Sequence, residues 1–79
     1  MPSDIAIHPV NGDMYIIDGR NSQLLVTNMS GGVKKLYQLN VKEFPQPEGI
    51  AFNPAGELFI SNEGRNSAGN ILHVEIAGD

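Results

Sequence analysis

An all-β fold is predicted, made of two copies of one antiparallel four-stranded meander, the second lacking its outer strand. Three observations carry it. The 79-residue chain repeats itself: Pro2-Ser3-Asp4-Ile5-Ala6-Ile7-His8-Pro9 returns 45 positions later as Pro47-Glu48-Gly49-Ile50-Ala51-Phe52-Asn53-Pro54. Asn11 has no counterpart, so Gly12-Asp13-Met14-Tyr15-Ile16 returns as Gly56-Glu57-Leu58-Phe59-Ile60, and the inserted Glu63 then restores the spacing, with Gly19-Arg20-Asn21-Ser22 returning unchanged as Gly64-Arg65-Asn66-Ser67. Short apolar runs alternate with Asn-Gly, Asp-Gly and Gly-Gly turns, and nine Gly with five Pro argue against long helices. Self-similarity at a period of roughly 40–45 residues, carried by short strands, is the signature of propeller blades. The expected architecture is therefore two blades of a β-propeller, blade one over residues 2–40 and an incomplete blade two over 47–77.

Residues 5–8 read as the first strand, closed by Pro9 and an Asn11-Gly12 turn, since both turn residues tolerate positive φ. Residues 14–18 form the second strand, which ends at Asp18-Gly19. The third covers 24–29, and Ser30-Gly31-Gly32 turns into the fourth, 33–39. Residues 40–46 link the copies, with Lys42-Glu43-Phe44 as one helical turn before Pro45. The second copy supplies strands at 50–53, 58–62 and 71–76, and no fourth strand follows. Propellers often close by completing the last blade with a strand from the far end of the chain, so the stop on a turn at Ala77-Gly78-Asp79 favours a natural end over a cut. The strand at 71–76 then presents an unpaired edge that recruits a partner strand. Self-association as a trimer or dimer is the expected result.

The apolar pattern is compatible with strands covered on both faces. Leu25, Thr27 and Met29 match Leu72, Val74 and Ile76 on one face, and Leu24 and Val26 match Ile71 and His73 on the other. His73 is expected as a half-buried structural histidine and His8 as a turn-stabilising one. Arg20 and Arg65 repeat faithfully and are read as hydrogen-bonding residues of the scaffold.

Composition excludes several function classes. The net charge is −4 and the five Lys and Arg are scattered, so no basic stripe matches a phosphate backbone and nucleic acid is not an expected partner. Cysteine is absent, which removes disulfides, thiolate ligands and thiol nucleophiles. No apolar run reaches the ~20 residues of a membrane span, and no leader pattern opens the chain. Walker, dinucleotide-binding, His-Glu-x-x-His, EF-hand and nucleophile-elbow patterns are missing.

Three motifs in order resemble the C-terminal part of the SdiA-regulated (YjiK/CarP-like) family. They are residues 2–9, Gln46-Pro47-Glu48-Gly49-Ile50, and Leu58-Phe59-Ile60-Ser61-Asn62-Glu63-Gly64, together spanning almost the whole chain. The resemblance implies a six-bladed propeller of the bacterial cell envelope, periplasmic or membrane-anchored through an N-terminal segment. It also implies a link to calcium and a distant likeness to phytase-type propellers.

The candidate metal ligands are Glu48, Asp4 and Glu63. Asp4 and Glu48 stand just before the first strand of each copy, where innermost strands of a ring converge, and clustered carboxylates suit a hard cation such as Ca²⁺. Glu48 also matches the acid of the Pro-Asp-Gly segment in regucalcin and gluconolactonase propellers, a metal ligand there; Asp4 sits one residue later. Glu63 is the insertion in the repeat and lies in a polar loop. The structural alternative is a turn whose carboxylate caps backbone N–H groups.

The main functional expectation is a non-enzymatic fragment of an envelope propeller, acting as a scaffold or ligand-binding surface for a small molecule or protein, with Ca²⁺ at the channel rim. The alternative is part of a phytase- or lactonase-like metal-dependent hydrolase active only as the intact ring. A third reading is a purely structural interaction module.

Overall fold

The computed structural model describes residues 4–64 and 69–76. Arg65, the copy of Arg20, and the closing Ala77-Gly78-Asp79 lie outside the described residues. Among the described residues seven strands follow in order: β1 (Asp4–Ile7), β2 (Met14–Asp18), β3 (Gln23–Thr27), β4 (Val33–Gln38), β5 (Pro47–Phe52), β6 (Leu58–Asn62) and β7 (Asn70–Val74). Strands β1-β2-β3-β4 make one antiparallel sheet and β5-β6-β7 a second.

Local chemistry explains the turns. In the first hairpin His8 N–H donates to the Asp13 carbonyl at 2.8 Å and Gly12 N–H to the His8 carbonyl at 3.0 Å, with Gly12 at φ 77°. Gly12 alone supplies the left-handed conformation, which a side chain at that position would resist. Asn11 has no positive φ; its Oδ1 instead accepts from Asp13 N–H at 2.9 Å. In the second copy the loop is one residue shorter, and Asn53 N–H reaches the Glu57 carbonyl at 3.1 Å. The missing counterpart of Asn11 is thus taken up entirely in this loop. Between the sheets, Glu43 and Phe44 N–H both donate to the Asn40 carbonyl, making a single turn that delivers Phe44 into the core. Pro47 opens β5, a position where a strand tolerates a residue without an N–H.

One apolar core joins the two sheets: Tyr15, Ile17, Leu24 and Val26 from the first, Ile50, Leu58 and Ile60 from the second, with Leu39 and Phe44 from the segment between them. Strands β1 and β2 both contact β5. The expected pair of propeller blades is corrected here. The structure holds two open antiparallel sheets, four- and three-stranded, and neither closes on itself or curls. The repeat period and turn residues report hairpins, which are local in sequence and common to many β architectures. How sheets assemble depends on contacts between distant strands, and the period does not encode those.

The expectation that both faces of the strands are covered is corrected too. Cross-strand register sets Ile5, Ile16, Leu25 and Leu36 in one row across all four strands of the first sheet. Ile7, Met14, Thr27 and Val33 form the next row. This is the face opposite the core, and Ile5, Ile7, Val33 and Leu36 on it are exposed.

Candidate functional site

Asp4, Glu48 and Glu63 take three separate structural positions. The Asp4 carboxylate accepts from its neighbour Ile5 N–H at 2.9 Å and, across the sheets, from Ile50 N–H at 3.0 Å. It is a bridge from β1 to β5, holding the first strands of the two copies together. Glu48 is exposed at the register shift of β5, between Pro47 and Gly49. Glu63 is exposed beyond β6, where its backbone N–H donates to the Gln46 carbonyl at 2.9 Å. Among the described residues no group of three or more His, Asp or Glu side chains could hold a metal ion, so the calcium expectation is corrected. Ca²⁺ needs six to eight oxygens on one point. The repeat places one acid per copy at the same place in sequence, but the β5 bulge and the Asp4 bridge give the two acids different surroundings.

The two histidines border a shallow cleft of about 490 Å³, together with Tyr15, Phe52, Glu57 and Val74. His8 Nδ1 accepts from Val10 N–H at 3.2 Å, so the histidine does close its turn. Its ring also stands 4.9 Å from Phe52, which meets Tyr15 edge-on at 4.9 Å, and this aromatic cluster ties the first hairpin to β5. His73 takes the expected place of a structural histidine, on the outer side of β7 with its side chain 42% exposed. Its ring packs 5.1 Å from Phe59, and Nε2 lies 3.4 Å from Glu57 Oε2. Glu57 Oε1 accepts from Asn53 Nδ2 at 2.9 Å. Both carboxylate oxygens therefore face scaffold partners, and the arrangement stabilises the turn with a surface His–Glu contact.

Several structural residues escaped the sequence reading. Ser22 is buried with φ 49°; its Oγ donates to the Phe44 carbonyl at 3.2 Å, and its own carbonyl accepts from Leu39 N–H at 2.7 Å. Asp13, also buried, pairs with Lys34 Nζ at 2.5 Å. Asp18 folds back onto its turn: Asn21 Nδ2 donates to it at 2.8 Å and Arg20 N–H at 3.1 Å. The Asn21 side-chain bond, the largest cause, holds the Asp18 carboxyl below its usual range. The sequence marks Asp18-Gly19 as a turn, and the structure adds the Asp18 side-chain bonds that hold it.

The outer face of the first sheet is four strands wide and apolar at every position of its first row. Alternation marks its residues as one face, and their exposure depends on which face the second sheet takes. No helix among the described residues is long and apolar enough to cross a membrane. Comparison with family models, with curated proteins and with solved structures returns no match to this chain.

Proposed function

We propose that this chain is a non-enzymatic interaction module: a two-sheet scaffold that binds through the outer face of its first sheet. The observation that supports it is the row Ile5-Ile16-Leu25-Leu36, in which the outer two residues are 50% and 58% exposed. A contiguous apolar patch of this kind on a folded domain marks a surface that another molecule covers. The bacterial-envelope placement belongs to the proposal and rests solely on the resemblance to SdiA-regulated sequences; cell fractionation checks it.

The test pairs stability with catalysis. Ile5→Lys and Leu36→Lys should each unfold within about 0.5 kcal/mol of the parent, as substitutions at surface sites do. A loss of several kcal/mol would mean that the row belongs to this chain's own core, and the binding-face reading would fall. Phosphate-ester and lactone substrates, with and without chelator, should show no turnover. Chelator-sensitive turnover would instead establish the metal-dependent hydrolase.

A further inference from the structure

The internal repeat relates the outer face to the core. Ile5, Ile7, Ile16 and Leu25 on that face are the repeat counterparts of Ile50, Phe52, Ile60 and Leu72. In the second sheet those four side chains point the other way with respect to the rest of the molecule. Ile50 and Ile60 are buried in the shared core, and Phe52 and Leu72 pack against it. What they pack on is the inner face of the first sheet, which carries Ala6, Tyr15, Ile17, Leu24 and Val26. The counterparts of this receiving face in the second sheet are Ala51, Phe59, Ser61, Ile71 and His73, and they lie on its outer side. The two copies therefore stack in the same sense, back of one on front of the next. Each outer face is one half of an interface that the molecule already forms internally.

We propose that a second copy of this chain covers the outer face of the first sheet, docking the outer face of its own second sheet there. This rests on the interaction-module reading and names its partner. The contact repeats the internal packing, with Ile5, Ile16 and Leu25 of one chain meeting Phe59, Ile71 and His73 of the next. Ser61 and His73 replace Ile17 and Val26 of the internal version, so the contact between chains is the weaker of the two. The contact is heterologous, because the two surfaces it joins are different. Each added chain leaves the same two faces exposed at the ends, and assembly continues beyond the dimer.

Sedimentation velocity across a concentration series tests this with the parent, two variants and their mixture. The parent chain should show a mass that rises with concentration past the dimer. Ile5→Lys, or Ile7→Lys should the first variant fail to fold by circular dichroism, blocks one face. Ile71→Glu blocks the other. Each variant alone should remain a monomer, while an equal mixture of the two should form a dimer and nothing larger, since each variant retains the face its partner lacks. A parent chain that is monomeric at every concentration would overturn the proposal. So would variants that associate like the parent, the mark of pairing through the β4 or β7 edges, or a mixture that stays monomeric. A monomeric parent with stable lysine variants removes only the identity of the partner, whereas destabilised lysine variants remove the interaction face itself.

Discussion

Leu24 and Ile71 occupy the same place in the two copies of the repeat, yet Leu24 is 1% exposed and Ile71 is 71% exposed. Both stand on the third strand of an antiparallel meander, on the same side relative to their neighbours. The difference is positional: the second sheet covers that side of the first, and no described part of the chain covers the same side of the second. Burial energy here belongs to the stacking order rather than to the residue type. Leu24→Ala should destabilise the chain by about 2–5 kcal/mol, combining lost transfer energy with a cavity. Ile71→Ala should change monomer stability by no more than about 0.5 kcal/mol. Urea unfolding of dilute samples gives both values, and equal losses would contradict the stacking described.

The Asp4 bridge makes a second prediction. Asp4→Ala removes the acceptor from Ile50 N–H, and an orphaned, partly buried donor costs about 1–3 kcal/mol. Glu48→Gln, at an exposed position, should leave unfolding unchanged. Added Ca²⁺ or chelator should shift neither protein's melting temperature; a calcium-dependent rise lost in Glu48→Gln would restore a metal role to that residue.

Acid should loosen the β2–β3 turn through Asp18. Its folded carboxyl is held below the ordinary 3.8 chiefly by the Asn21 side-chain amide. A depressed folded value means that the stabilisation is fully present above the unfolded value and is lost as pH falls through the folded one. Carbon-detected titration of the side chain should therefore give a midpoint below 3.8. Asp18→Asn should flatten the acid limb of the stability curve. A midpoint at or above the ordinary value would show that the turn bonds do not persist in solution.

Ser22 holds the segment between the sheets. Ser22→Ala keeps a side chain at φ 49° and leaves the Phe44 carbonyl without its hydroxyl donor, in a buried setting. The expected loss is about 1–2 kcal/mol. Ser22→Gly loses the same bond but relieves the left-handed backbone, so it should be the milder of the two. The reverse order would place the strain elsewhere.

By itself the sequence determined the strands and their turns. Alternation, Gly12, Gly56 and the repeated Pro-x-x-Ile/Pro-x-Gly-Ile starts are local features, and hairpins are built from residues close along the chain. Boundaries moved by small steps where side chains decided them: β5 begins at Pro47 rather than at residue 50, because Pro47 is buried at the sheet edge and the bulge at Glu48 absorbs the extra length. His8 was legible as a turn residue because its ring nitrogen lies within reach of the next few N–H groups.

Only the tertiary structure decided which face of each strand is inside. Leu24 and Ile71 stand at the same point of the same alternation, each followed by a leucine, and nothing in either window says that Leu24 is core and Ile71 surface. It also decided that Asp4 spends its carboxylate on Ile50 N–H and that the acids of the two copies do not gather into a cation site. The physical reason is common to all of these. A strand's own hydrogen bonds and side-chain direction are set within a few residues, but burial and charge clustering are properties of pairs brought together from far apart, and two open sheets stacked in one sense leave one apolar face of each uncovered.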